Sequence, residues 1–272
     1  MSETKRITIL GAAGRMGRAN IEAVLDAGLG VAGAITRPGS ASLGIDAGVL
    51  VGRGALGVVL SDDPAPAIAH SDAVIDFTTP ATTVETARLA AQAGAALVVG
   101  TTGLSKEDEA QLALAARHVP VVYAPNFSVG VTLLAALTQQ VAAILDPSWD
   151  IEIVEMHHRH KVDAPSGTAL GLGRAAAAGR KVDHDAVKQA GRDGHTGARE
   201  EGRIGYASLR GGDVVGEHTV IFAGTAERVE LTHKATGRGI FSQGAVRAAR
   251  WAVDQKPGLY DMMDVLGLKI GG

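Results

Sequence analysis

Cysteine is absent from the 272 residues, which removes disulfides, thiolate nucleophiles and cysteine-ligated zinc. Any metal would have to rest on histidine and carboxylates. An excess of basic charge is missing too. The 26 Lys and Arg stand against 29 Asp and Glu, for a net charge of −3, so neither nucleic acid nor an anionic membrane is an expected partner. No stretch approaches the roughly 20 unbroken apolar residues of a membrane span. Residues 1–6 run straight into an apolar strand at 7–10, without the charged head and apolar middle of a signal peptide; a cytoplasmic protein is expected. Internal repeats are lacking, and the alanine run at 175–178 needs only helix propensity.

What is present is enough core for two domains of ordinary size: 46% of the chain is hydrophobic. In the first half, short runs rich in Val and Ile at 7–10, 30–36, 73–77, 96–100 and 120–124 alternate with stretches of helical period at 15–27, 81–93 and 105–117. That is the pattern of a parallel sheet covered by helices. Ser105 followed by Asp108 predicts a capped helix start.

The character changes after residue 124. Residues 126–130 lead into an expected helix to about 145, and then 149–157 alternates apolar with polar residues, as a strand with one buried face does. Strands at 204–210, 218–223 and 228–233 fit the same type, with a turn at 224–227. Such strands predict a second domain on an open sheet, whose apolar residues, such as Ile204, Val220 and Phe222, need a cover from its own helices or another subunit. Helical period returns at 241–253, and the tail ends at 259–268. The polar segment 180–203 reads as a long connection, mobile or disordered when the site is empty.

The first chemical motif, Gly11-Ala12-Ala13-Gly14-Arg15-Met16-Gly17, follows a strand and opens a helix. Glycines there allow a tight turn and let backbone N–H groups approach a pyrophosphate at the positive helix end. The spacing is G-x-x-G-x-x-G, with Ala13 where a second glycine is usual; a glycine triplet can serve turn geometry alone, but its place between strand and helix favours dinucleotide binding. At the end of the second strand, where a carboxylate often accepts from the adenosine ribose, stand Thr36 and Arg37. Nothing there repels a 2′-phosphate, and Arg37 suits one; an ordinary solvated arginine is the alternative. Phe77, the loop Gly100-Thr101-Thr102-Gly103 and the loop Ala124-Pro125-Asn126-Phe127 each follow a predicted strand. Ligands sit beyond the carboxyl ends of parallel strands.

The densest cluster of proton donors is Glu155-Met156-His157-His158-Arg159-His160-Lys161, just before Pro165-Ser166-Gly167-Thr168. Extended backbone would put His157, Arg159 and Lys161 on one side and His158 and His160 on the other, unless a turn intervenes. Three readings stand: metal binding, for which two histidines at i, i+3 without a third ligand are a poor template; a solvated strand edge; or a centre that binds anions and donates a proton. The Ser-Gly-Thr helix start favours the last, since N–H groups of a first turn hold carboxylates.

The runs E-M-H-H-R-H-K-V-D-A-P-S-G-T-A, G-A-A-G-R-M-G, G-T-T-G, A-P-N-F-S-V-G and V-G-E-H-T occur in this order over nearly the whole chain. Together they closely resemble the 4-hydroxy-tetrahydrodipicolinate reductase (dihydrodipicolinate reductase) family of lysine and diaminopimelate biosynthesis. The resemblance implies an α/β fold: a Rossmann-type parallel sheet domain plus a smaller α+β substrate domain with an open mixed sheet. Residues 1–126 and 239–272 would bind the dinucleotide, and 127–238 would bind substrate and join a homotetramer. By motif, the catalytic residues would be His157, as proton donor or acceptor, and Lys161, as a proton donor, and His158, Gly167 and Thr168 would hold a small cyclic dicarboxylate. Gly11, Ala12, Ala13, Gly14, Arg15, Met16, Arg37, Phe77, Gly100, Thr101, Thr102, Ala124, Pro125, Asn126 and Phe127 would line NADPH or NADH, and no metal is implied. Thr36 departs from the acidic residue of several members and puts NADH preference in doubt. Another nicotinamide-dependent reductase, or a nucleotide sensor on the same fold, are the alternatives.

Overall fold

The structure is a computed structural model in which residues 4–268 are described. The outer ends of the expected first domain, 1–3 and 269–272, lie outside the described residues. The chain divides into two compact units, one of residues 1–128 with 239–272 and one of 129–238.

The first unit opens with β1 (Arg6–Leu10), α1 (Arg15–Asp26), β2 (Gly30–Ile35), α2 (Ala47–Leu50), β3 (Leu60–Ser61), α3 (Pro64–Ala69), β4 (Ala73–Asp76), α4 (Pro80–Ala93), β5 (Ala96–Val99), α5 (Lys106–Ala115) and β6 (Pro120–Tyr123). The second unit consists of α6 (Val129–Ile144), β7 (Asp150–His157), α7 (Gly167–Arg180), α8 (His184–Val187), β8 (Lys188–Ala190), β9 (Ile204–Arg210), β10 (Gly216–Ala223) and β11 (Arg228–Ala235). The chain then returns to the first unit with α9 (Gly239–Ala252), β12 (Gly258–Tyr260) and α10 (Met262–Leu266).

In the first unit the sheet order is β12-β6-β5-β4-β1-β2-β3, every pair parallel. Strands β4 and β5 are buried at every position, which is why they read as unbroken apolar runs: helices cover both faces. One row of helices is α1 with α9, the other α3, α4 and α5. Strand order reverses between β1 and β4, the point where ligands meet such sheets. Helix α5 has the expected capping box: Ser105 accepts from the Asp108 N–H, and Asp108 accepts from the Ser105 N–H. Between Thr36 and Ala73, where no element was anticipated, the Asp46 carboxylate accepts N–H groups of Gly48, Val49, Leu56, Gly57 and Val58 and so closes the loop around α2.

The second unit has a mixed sheet, order β11-β10-β7-β9-β8, with β7 antiparallel to β10 and parallel to β9. The expected fold class is therefore observed. Its core joins Ile151 and Ile153 of β7, Val220 and Phe222 of β10, and Ile204 and Tyr206 of β9 to Leu134 of α6 and Leu172 and Ala176 of α7. This settles which cover the apolar residues receive. Ile204, Val220 and Phe222 are fully buried under the unit's own helices. The outward face instead carries Val154 and Met156, the half-exposed Leu209, Thr219 and Ile221. A shift of one residue along a strand exchanges faces.

The segment 180–203 is also corrected. It contains α8 and the edge strand β8, paired parallel to β9. Arg192 pairs with Glu152 at 2.7 Å, and Arg199 pairs with Asp150 at 2.5 Å and Glu152 at 2.8 Å. What reads as a solvated polar run is thus held by carboxylates of β7, some forty to fifty residues away along the chain.

Truncating the second core gives the check on this packing. Phe222→Ala should lower unfolding free energy by about 3–5 kcal/mol, the usual cost of deleting a fully buried ring, read as a reduced denaturant midpoint with unchanged slope.

Candidate active site

Five loops leave the carboxyl ends of β1, β2, β4, β5 and β6 and therefore share one edge of the parallel sheet. They carry every expected dinucleotide residue. Gly11 adopts φ +65°, which favours glycine. A Cβ on Gly17 would lie 2.1 Å from the Gly11 carbonyl oxygen, so only glycine lets α1 begin so close to the turn. Helix α1 has Gly14 as N-cap and no capping side chain, so its first turn presents backbone N–H groups to an anion. Ala12 is buried and donates to the Ile35 carbonyl, while Arg15 is exposed and Met16 half-buried. Thr36 is buried with its N–H on the Ser61 carbonyl, and Arg37 is exposed beside it.

The Phe77 and Phe127 rings lie 5.4 Å apart, and the missing Cβ of Gly100 leaves room for the Phe77 ring. Ala124 donates to the Val99 carbonyl; Pro125 is exposed, and Asn126 accepts the Ser128 N–H. Beneath these loops lies Asp76, which sequence reading missed. Its carboxylate accepts from the Thr78 N–H and hydroxyl, and Thr101 accepts from the Thr78 N–H and the Thr83 hydroxyl. Burial pushes the Asp76 carboxyl up, against the hydrogen bonds from the threonines. This edge suits a dinucleotide: a glycine-only cradle beneath an uncapped helix start, at the reversal point of the strand order.

The second centre follows from the alternation of the mixed sheet. Along β7 the inward positions run Ile151, Ile153, Glu155, His157; along β10 they run Phe222, Val220, His218, Gly216; along β9, Ile204, Tyr206, Ser208, Arg210. The apolar stripe therefore gives way at one end to a charged patch in register. Glu155 is 1% exposed and His157 9%.

Burying a carboxylate is costly unless it is paired and hydrogen-bonded. The guanidinium of Arg210 grips both Glu155 oxygens at 2.8 Å, His157 Nδ1 lies 2.5 Å from Oε2, and the Ser166 N–H donates to Oε1 at 3.2 Å. Desolvation would raise the Glu155 carboxyl, but hydrogen bonds from Arg210, His157 and Ser208 outweigh it and hold it at about 2. The His218 ring stands edge-on to His157 at 5.1 Å, and its Nε2 lies 3.1 Å from the Ser166 hydroxyl. Burial first, and His157 second, push His218 down to about 4.

Strand β7 ends at His157, and a turn follows in which Lys161 donates its N–H to the His158 carbonyl. The one-sided array of His157, Arg159 and Lys161 thus does not form, because extended backbone stops before Arg159. Lys161 Nζ pairs with Asp163 at 2.8 Å, and Arg210 donates to the Asp163 carbonyl. His158 is half-buried with its Nδ1 unpartnered among the described residues, and its ring is 6.3 Å from His160. Gly167 and Thr168 open α7 behind the N-cap Ser166, whose hydroxyl accepts the Ala169 N–H. The expected His157 and the start of α7 are joined through Glu155. Roles for Glu155, Ser166, Arg210 and His218 were missed, although the period of two that places Glu155 inward was legible.

Two family models match the chain. One described as dihydrodipicolinate reductase, N-terminus, matches residues 5–127, and one described as dihydrodipicolinate reductase, C-terminus, matches 130–266. The chain is 56% identical over 269 residues to the 4-hydroxy-tetrahydrodipicolinate reductase of Agrobacterium fabrum, covering 98% of each chain. It is 57% identical over 264 residues to that of Methylocella silvestris, covering 97% of each. The solved structure of dipicolinate-bound dihydrodipicolinate reductase from Paenisporosarcina sp. TG-14 aligns with a TM-score of 0.77 at 24% identity, over 96% of this chain and 99% of that one.

The charged patch makes stability pH-dependent. His218 is neutral in the fold with its value lowered to about 4, so its contribution is complete above the unfolded value of about 6.5 and is lost as pH falls towards 4. Glu155, depressed from 4.5 to about 2, contributes above 4.5 and loses its contribution as pH falls through 2. Tm should therefore decline continuously below pH 6.5. In thermal scans, His218→Asn should flatten the decline between pH 6.5 and 4 while leaving the steeper loss below 4.5.

Proposed function

The chain belongs to the dihydrodipicolinate reductase family, and we propose from that premise how its residues divide the work. The protein is an NAD(P)H-dependent oxidoreductase that reduces 4-hydroxy-tetrahydrodipicolinate to tetrahydrodipicolinate in diaminopimelate and lysine biosynthesis. Residues 1–126 with 239–272 bind the dinucleotide, and 127–238 bind the cyclic dicarboxylate. The observation that carries this assignment is the buried Glu155–His157 pair beside the first turn of α7.

Loss of the substrate's 4-hydroxyl as water leaves a conjugated ring carbon, to which the nicotinamide, when bound, would supply hydride. Electron density then moves towards the ring nitrogen, and the resulting enamine takes up a proton. His157 offers Nε2 for that proton, since Nδ1 is engaged by Glu155. Lys161 is the second proton donor, and its cation also offsets substrate charge. His158, with an unpartnered ring nitrogen, and the first-turn residues Gly167 and Thr168 hold the carboxylates.

Gly11, Ala12, Ala13, Gly14, Arg15 and Met16 hold the pyrophosphate. Phe77, Gly100, Thr101, Thr102, Ala124, Pro125, Asn126 and Phe127 border the nicotinamide half. Arg37, exposed beside the neutral Thr36, supports acceptance of a 2′-phosphate, so NADPH should serve at least as well as NADH.

The outward sheet face carries Val154, Met156, Leu209 and Ile221, which supports a homotetramer joined through these sheets. No helix of the described residues is long and apolar enough to cross a membrane, and we assign the enzyme to the cytoplasm.

Loss of NADPH absorbance with freshly made cyclic substrate, against a panel of keto acids, tests the activity; turnover confined to keto acids would reject it. His157→Ala and Lys161→Ala should each lower kcat on the order of 10²-fold or more with dinucleotide affinity little changed, and near-normal turnover in both would refute the assignment. Sedimentation of the wild-type protein should give a tetramer, and Ile221→Glu a smaller species.

A further inference from the structure

One buried carboxylate ties three parts of the second centre together. Glu155 accepts from His157 on its own strand, from both terminal nitrogens of Arg210 on β9, and from the backbone of Ser166 at the cap of α7. Arg210 extends the reach, because the nitrogen that contacts Oε1 also donates to the carbonyl of Asp163. Asp163 in turn holds the ammonium of Lys161. Arg210 has no role in the assignment above, and Glu155 enters it only as the neighbour that engages His157 Nδ1.

We propose that Glu155, clamped by Arg210, is a positioning residue that dictates the tautomer of His157 and aligns the Lys161 turn and the α7 start with it. The proposal rests on the functional reading above for its effect on turnover, but not for its effect on the imidazole.

The donor count explains how. Arginine only donates, and the Ser166 N–H only donates. A carboxylate flanked by these groups has acceptor capacity alone to offer His157, so Nδ1 must carry a proton and Nε2 is left to exchange one. The same logic orients histidine wherever a fixed carboxylate backs it. Arg210 keeps the carboxylate ionised and its two oxygens in one plane through the bidentate fork. Around this pair, the other charged or titratable groups are His218 on β10, Lys161 and Asp163 in the loop after β7, and His233 of β11 beyond His218. Among these, Glu155 is the group bonded to His157 Nδ1.

Glu155→Gln separates this from a merely structural role. In the variant, the amide oxygen belongs at the Oε1 position, where one Arg210 nitrogen and the Ser166 N–H both donate, and the NH₂ then faces His157 and the other Arg210 nitrogen, one fixed donor against two in the flipped amide. A donor there forces Nδ1 to accept, so the neutral ring switches to the Nε2–H tautomer. Imidazole ¹⁵N shifts of the histidine-labelled full chain at pH 8.5 should report Nδ1–H in the wild type and Nε2–H in Glu155→Gln. Assignment comes from a His157→Asn control. Turnover should fall at least ten-fold with KM for NADPH within two-fold of wild type. Retention of Nδ1–H in the folded variant, or turnover within two-fold, overturns the proposal.

Arg210→Lys provides the second arm should the amide variant not fold. Its ammonium keeps a cation beside Glu155 but cannot span both oxygens and the Asp163 carbonyl. The His157 tautomer should stay Nδ1–H while KM for the cyclic dicarboxylate rises about ten-fold; an unchanged KM overturns the alignment role. The tautomer measurement needs no substrate. It therefore judges the positioning role even if wild-type turnover with the dicarboxylate were absent, an outcome that would count against the functional reading alone.

Discussion

A carboxylate at 1% exposure inside a sheet is tolerable only when donors surround it, and the second unit is arranged around meeting that condition for Glu155. Three chain segments must converge to do so: β7 supplies the residue and His157, β9 supplies Arg210, and the cap of α7 supplies a backbone N–H. Strand pairing already joins β7 to β9 at this end of the sheet, and the carboxylate adds the cap of α7 to the same spot. Its presence converts the end of an apolar core into a polar site without breaking the alternation that packs Ile151 and Ile153 further along the same strand.

The first unit solves a different problem with different means. A dinucleotide presents phosphates and planar rings, and the edge that would receive it depends on the absence of side chains more than on their charge. Gly11 and Gly17 bring the helix start against the turn, and Gly100 leaves space for the Phe77 ring. The one buried acid among its described residues, Asp76, is matched to neutral hydroxyls rather than to an arginine, and burial raises it where the arginine clamp lowers Glu155. Two buried carboxylates in one chain thus differ in direction because their donors differ in charge.

Much of this was legible in the residues. Apolar runs and capping signals located five of the seven described parallel strands and the α5 start within about a residue or two, because those signals are local. Other features depended on partners that local patterns do not name. The polar stretch 180–203 looked solvated because its counter-charges, Asp150 and Glu152, lie on a strand far upstream. Ile204, Val220 and Phe222 were plainly buried somewhere, yet alternation alone could not say whether helices of the same unit or another subunit cover them. The short turn after His157 stayed an open alternative because His158 to Lys161 carry no glycine or proline to decide for it.

By itself, then, the sequence determined the α/β character, the glycine turn that opens a dinucleotide edge, and the cluster of imidazole and ammonium groups beside a helix start. Backbone conformation and side-chain period act over a few residues and leave their mark there. Only the tertiary structure decided that Glu155, Arg210, Ser166 and His218 form one hydrogen-bonded centre, since strand register brings together residues as much as 63 positions apart. It also decided which nitrogen of His157 is engaged, because a tautomer is set by the neighbour across the hydrogen bond rather than by the residue that carries the ring.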